Sequence, residues 1–174
     1  MGNATSDEIQ DADALGEYEG PLVNGKREGD GSCRYPDGSF YEGGWKDNKM
    51  SGMGSIIYTD GSRYDGFWMN GVKHGEGVMT FANGKETYHG SFAVDTMVGQ
   101  GSYVYEDGSV YQGSFVNNER HGQGCMKYKD GSVYIGMSHT VDCCSFDGIL
   151  FIKHVGYYHK LIFFLLYIIR IMGR

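Results

Sequence analysis

Apolar and polar positions alternate along most of this chain, and aromatic residues and glycine set the phase rather than aliphatic residues. A strand through Tyr41-Glu42-Gly43-Gly44-Trp45 places Tyr41, Gly43 and Trp45 on one face and Glu42 and Gly44 on the other. The Tyr-x-Gly signal recurs at Tyr18, Tyr41, Tyr64, Tyr88, Tyr111 and Tyr134, at intervals of 23, 23, 24, 23 and 23 residues. A fixed interval of this size marks a repeat array whose architecture follows from one unit. Each of the first five units continues with a Gly-x-Gly: Gly29/Gly31, Gly52/Gly54, Gly75/Gly77, Gly99/Gly101 and Gly122/Gly124. Each then closes on an aromatic residue and a turn glycine, as in Tyr58-Thr59-Asp60-Gly61 and Phe81-Ala82-Asn83-Gly84. Period two holds within the segments and no amphipathic helical window spans the array, so the predicted class is all-β.

Within a unit, Asn24-Gly25, Asn48-Lys49 and Asn70-Gly71 occupy the expected hairpin tips, where positive φ favours Asn and Gly. That turn places Tyr41 opposite Ile56, Gly43 opposite Gly54 and Trp45 opposite Gly52, so rings lie over bare glycine backbone. Gly66, Gly113 and Gly43 of the Tyr-x-Gly signals, with the Gly-x-Gly pairs from Gly52 to Gly124, are read as structural glycines. Five residues separate Tyr58 from Tyr64, and an odd loop on Asp60-Gly61 with a glycine bulge keeps both on one face. The predicted architecture is an elongated, twisted, single-layer antiparallel ribbon of about six stacked β-hairpins, spanning on the order of 55 Å. In the unit from Tyr88, Val94-Asp95-Thr96-Met97-Val98 replaces the usual basic tip, and Lys85-Glu86 adds one residue that a local bulge is expected to absorb.

Composition divides the 174 residues into three parts. Residues 1–16 form an acidic leader expected to be disordered, 17–137 the array, and 138–174 an apolar and basic tail in which the repeat pattern stops. The chain carries 29 glycines and 14 tyrosines but only two prolines, at fixed phases that mark a folded unit. The formal charge is -7. Residues 1 to 19 hold Asp7, Glu8, Asp11, Asp13, Glu17 and Glu19 without a cation, and the tail holds Lys153, Lys160, Arg170 and Arg174. An acidic array is poorly suited to a phosphate backbone, which argues against nucleic acid as a partner. Cys33, Cys125, Cys143 and Cys144 have no zinc-ligand spacing and no signal sequence precedes them, which points to reduced thiols in the cytoplasm.

No catalytic set, cofactor fingerprint or metal motif emerges, so the chain reads as non-enzymatic. His74 and His121 sit at equivalent turn positions before Gly75 and Gly122, which repetition of the scaffold explains. The recurring stripe Tyr41, Trp45, Tyr64, Trp68, Tyr88, Phe92, Tyr111 and Phe115 has two readings. The rings pack on one another and on the glycines, or they form a long surface for an extended or helical segment of a protein partner. The second reading rests on the expectation that a one-layer ribbon cannot bury both of its faces.

Tyr64-Asp65-Gly66-Phe67-Trp68-Met69-Asn70-Gly71-Val72-Lys73-His74-Gly75-Glu76-Gly77, and Arg120-His121-Gly122-Gln123-Gly124 after it, resemble the MORN repeat. The resemblance covers residues 17 to 137, with a sixth unit truncated after Gly136. It implies a scaffold that binds protein partners. The acidic leader running into Leu15-Gly16-Glu17-Tyr18-Glu19-Gly20 resembles the radial spoke head component of motile cilia, which implies a structural part in the axoneme. A rival resemblance, to junctophilins, implies a module tethered at the cytoplasmic leaflet. Met1-Gly2-Asn3-Ala4-Thr5-Ser6 fits the myristoylation pattern at Gly2, although one such chain holds a membrane only weakly. The run Leu161 to Ile169 covers only about 14 Å as a helix, against a bilayer core of roughly 30 Å. Three readings of the tail stay open: an interfacial or membrane-anchoring segment, a helix covering the end of the ribbon, or non-native sequence.

Overall fold

A computed structural model of the chain describes residues 16–138 and 151–152. The leader, Gly2 and most of the tail lie outside the described residues. Fourteen strands run in order: β1 Glu17–Glu19, β2 Leu22–Val23, β3 Lys26–Arg27, β4 Gly29–Arg34, β5 Phe40–Lys46, β6 Lys49–Ile57 and β7 Arg63–Met69. They continue through β8 Val72–Thr80, β9 Thr87–Ala93, β10 Thr96–Val104, β11 Val110–Val116, β12 Glu119–Lys127, β13 Val133–Ser138 and β14 Phe151–Ile152. Twelve of them form one antiparallel sheet in chain order, and β2 and β3 make a separate small hairpin beside it. Among the described residues there is no helix. The chain is an all-β ribbon in which β1 pairs with β4 past the β2–β3 hairpin and each strand from β4 to β13 pairs with its sequence neighbour, as the repeat predicts.

The tips are two-residue turns with both residues at positive φ, the geometry whose twist matches a hairpin. Asn24-Gly25 and Asn70-Gly71 fall where the sequence placed them. The second tip is Asp47-Asn48, at φ 48° and 68°, one residue earlier than the expected Asn48-Lys49. Trp45 therefore pairs with Met50 and not with Gly52, while Tyr41↔Ile56 and Gly43↔Gly54 hold as predicted. The difference is absorbed by a bulge that gives the returning strand two extra residues. The same bulge interrupts β7/β8, β9/β10 and β11/β12. The first glycine of each Gly-x-Gly from Gly52 to Gly122 lies within it, Gly52 at φ 82° and Gly75 at φ 61°, a region open to glycine and costly for a side chain.

The closing loops behave as the odd spacing requires. Gly61 N–H donates to Tyr58 O at 3.0 Å, Tyr58 N–H donates to Ser62 O at 2.8 Å, and the Asp60 carboxylate accepts the Ser62 N–H at 2.8 Å. The extra residue near Lys85 makes no bulge in the strands. Phe81 N–H reaches one residue further, to Glu86 O at 3.0 Å, and Asn83 Oδ1 accepts from Lys85 N–H and Glu86 N–H at 2.9 and 3.0 Å. Thr80↔Thr87 stays in register, because the loop has room for a residue and the ladder does not.

Candidate partner-binding surface

One face of the ribbon is its own core. Each repeat tyrosine folds flat over two glycines, its own second neighbour and that glycine's partner on the next strand. A Cβ built on Gly77 would lie 2.5 Å from the Tyr64 ring, and one on Gly66 2.5 Å from its hydroxyl. One such glycine per strand, from Gly31 on β4 to Gly136 on β13, makes a continuous line across the sheet. Above it the rings interlock edge to face. Tyr41 meets Trp45 and Trp68 at 5.2 and 5.5 Å, Tyr64 meets Trp68 and Phe92 at 5.2 and 5.0 Å, and Tyr88 meets Phe92 and Phe115 at 5.2 and 4.9 Å. Every unit is thus keyed to the next by rings that touch both, at separations favourable for T-shaped pairs.

The hydroxyls explain why the position is tyrosine. Tyr41 O–H donates to Gly44 O at 3.0 Å, Tyr64 to Phe67 O at 3.0 Å and Tyr88 to Ser91 O at 3.1 Å, each a carbonyl beside the bulge where the ladder is interrupted. The indoles of Trp45 and Trp68 donate to Gly31 O and Gly54 O at 3.1 and 3.2 Å. Burial pushes the phenols up, Tyr88 to about 12, and raises Tyr41 and Tyr64 as well.

All eight residues of the predicted partner-binding stripe lie here: Tyr41, Trp45, Tyr64, Trp68, Tyr88, Phe92, Tyr111 and Phe115 are between 0 and 4% exposed. The expectation that a single layer leaves them open is corrected. Residues four apart on a straight strand stand about 13 Å apart, yet the Tyr41 and Trp45 rings meet at 5.2 Å. The tyrosine leans over its glycines toward the tip, its hydroxyl reaching the carbonyl three residues on, so its ring meets the Trp45 ring and the face is covered. The glycines divide into two kinds that sequence did not separate. Gly43, Gly54, Gly66, Gly77, Gly101, Gly113 and Gly124 make room for rings, whereas Gly52 and Gly122 would meet nothing within 4 Å and serve the bulge conformation. Gly75 and Gly99 belong with the second kind, with neighbours no closer than 3.5 Å.

Two further sets of residues were missed. The second position after the tip alternates between cation and methionine: Arg27, Met50, Lys73, Met97 and Arg120. The Arg27 guanidinium lies 4.9 and 5.0 Å from the Tyr18 and Trp45 rings, Lys73 Nζ 5.8 Å from Tyr64, and the Arg120 guanidinium 5.5 Å from Tyr111. The same positions clamp tip to tip. Asn48 Oδ1 accepts the Arg27 N–H at 2.8 Å and Asn118 Oδ1 the Met97 N–H at 2.8 Å, while Asn118 N–H returns to Met97 O at 3.1 Å. The signal was in the sequence as an interval of two repeats, visible only once units are aligned in pairs.

Surface open to a partner lies elsewhere. The outward face carries a shallow groove of about 810 Å³ over the glycine line from β8 to β13, lined by His89, Gln100, Ser102, Gln112, Ser114 and Gln123 with Glu76 at one end. Beside it, toward the first units, Met53 and Phe67 pair across β6/β7 and stand 69 and 40% exposed. On the tyrosine side, the closing aromatics Tyr35, Tyr58, Phe81, Tyr105 and Tyr128 remain half-exposed or exposed along the turn edge. Among the described residues there is no cluster of three or more side chains placed to hold a metal, and no helix long and apolar enough to cross a membrane.

The MORN repeat family model matches residues 18–40, 41–63, 64–86, 88–110 and 111–133. The chain belongs to the MORN repeat family. Its matched units coincide with the ring-over-glycine units, and the partial sixth, from Tyr134, contributes β13 with Tyr134 folded over Gly136. Membership supports a repeat scaffold with a protein-binding role, in a family that is generally non-catalytic. The comparison with curated proteins returned no match. Among solved structures, the MORN array is similar to the SAS-4 (dCPAP) TCP domain of Drosophila melanogaster, solved in complex with a proline-rich motif of Ana2 (dSTIL). The identity is 14% and the TM-score 0.43, covering 63% of this chain and 60% of that chain.

Proposed function

We propose that the protein is a non-catalytic scaffold that holds a helical segment of a protein partner in the outward groove. The observation that carries this reading is the glycine line. With no side chain standing on it, the line leaves a shallow trough across β8 to β13 whose flanks are mainly amides and hydroxyls, joined by His89, Cys125 and the exposed Ile135, with Glu76 the one carboxylate. Six strands at about 4.8 Å span roughly 24 Å, the length of about sixteen helical residues. The scarcity of charge in the lining favours an amphipathic helix with an uncharged contact face. The acidic chain favours protein over nucleic acid. Photo-crosslinking from the position of Gln112 in cells, followed by identification of the joined peptide, tests it. Crosslinks to one helical segment, lost in Gln112→Arg while the array stays folded, are expected; scattered crosslinks that ignore the substitution would refute it.

Cytoplasmic localisation and a structural part in the axoneme of motile cilia belong to this proposal, supported by the resemblance of the leader to the radial spoke head component. A version ending at Gly136 is expected to assemble with detergent-resistant cytoskeleton as the full chain does. Salt-resistant membrane binding that disappears on this truncation would instead favour the tether reading, because apolar burial is insensitive to ionic screening.

A further inference from the structure

We propose a second docking site on the opposite side of the ribbon: the turn-edge groove between Tyr105 and Tyr128, taking a proline-rich segment in the polyproline II conformation that bears a basic residue. The closing aromatics differ from the buried stripe in keeping ring surface open, and Tyr128 is 39% exposed. They recur once per unit, so neighbouring rings stand two strands apart, roughly 9.6 Å. A polyproline II helix advances about 9.3 Å in each turn of three residues. A chain laid across the strands in that conformation therefore meets successive rings with every third residue. An α-helix, at about 5.4 Å per turn, and an extended strand, at about 6.7 Å per two residues, fall out of step with the rings.

The location follows from what fills the gaps. Between Phe81 and Tyr105 the gap is closed by Tyr103, which lies 5.5 Å from one ring and 4.6 Å from the other. Between Tyr105 and Tyr128 the corresponding residue is Met126, which lies low and buried, and a groove of about 360 Å³ opens above it. Arg120 forms one wall, its guanidinium 5.9 Å from the Tyr105 ring. Glu86, Glu106 and Asp107 line the same groove; Lys85 Nζ already pairs with Glu106 at 2.5 Å, so Glu86 and Asp107 are the carboxylates that complement arginine or lysine on the ligand. Proline rings suit such a site because flat aromatic faces bind them without requiring backbone donors from the ligand.

The test uses the full-length protein and a labelled twelve-residue peptide of Pro-Pro-Leu triplets with arginine at each end. The control peptide has glycine in place of every proline. Saturable binding of the proline peptide is expected, at least tenfold tighter than the glycine control, with a tenfold loss in Tyr128→Ala. That ring is exposed, so its removal leaves the stripe packed, and an unchanged melting temperature verifies this. Glu86→Gln, which removes the charge but keeps an acceptor for the Tyr103 hydroxyl, is expected to weaken the arginine peptide while leaving an arginine-free version unchanged, and Gln112→Arg in the outward groove is expected to alter neither. Absence of binding, equal affinity for the glycine control, or indifference to Tyr128→Ala would each overturn the proposal. Loss on Gln112→Arg would overturn it too, by assigning the peptide to the other groove.

Discussion

Gly75 and Gly77 stand two residues apart on β8, and the structure gives them unrelated reasons to be glycine. A Cβ at Gly77 would lie 2.5 Å from the Tyr64 ring and hydroxyl, against the 3.4–4 Å of ordinary contact. To make room the ring must shift by about an ångström, and it is pinned: fully buried, edge-on to Trp68 and Phe92, with its hydroxyl bonded to Phe67 O. Loosening two aromatic contacts and a hydrogen bond, each of order 1 kcal/mol, makes Gly77→Ala cost roughly 2–4 kcal/mol. Gly75 has nothing closer than 3.5 Å but sits at φ 61°, so Gly75→Ala costs about 1–2 kcal/mol through the backbone alone. Asparagine separates the causes, because it tolerates left-handed backbone yet carries a Cβ. Gly75→Asn is expected to melt within about 3 °C of wild type, and Gly77→Asn and Gly77→Ala about 8 °C or more below it. Since arrays of this kind unfold by units, hydrogen exchange resolved on β7 and β8 accompanies the melt. Equal effects of asparagine at the two positions would refute the division of the glycines into ring-bearing and bulge-forming sets.

Two other outcomes follow from the core and the tips, beside the two docking tests above. Unfolded tyrosine ionises near pH 10, whereas Tyr88 holds its proton to about 12. Its contribution is thus complete below pH 10 and is lost as pH rises from 10 toward 12, and chemical denaturation across that range should show a falling stability shared by Tyr41 and Tyr64. A stability flat to pH 12 would contradict the buried stripe. At the tips, Asn118→Ala removes the acceptor for Met97 N–H and places alanine at φ 69°, for roughly 2 kcal/mol. Asn118→Gly should recover the backbone part of that loss, as Gly71 does natively, and a urea midpoint for Asn118→Gly equal to that of wild type would argue against the clamp.

The fold was legible in the sequence because a β repeat writes its geometry in period and parity. The 23-residue interval set one hairpin per unit, the alternation set which residues share a face, and the odd closing loop kept Tyr58 and Tyr64 together. Those are local rules, so the pairings Tyr41↔Ile56 and Gly43↔Gly54 came out right. Only the tertiary structure decided what depends on packing in three dimensions. Moving the tip to Asp47-Asn48 set Trp45 against Met50 with a compensating bulge, and the tyrosine rings laid over the glycine line meet the rings of the next unit, which covers that face. For that reason the residues most prominent in the sequence are the core, and the outward glycine trough and the turn-edge aromatics are surfaces that remain open. Alternation records which side a residue faces; whether that side meets water depends on how the rings of successive units pack over it, which is a matter of contacts between units.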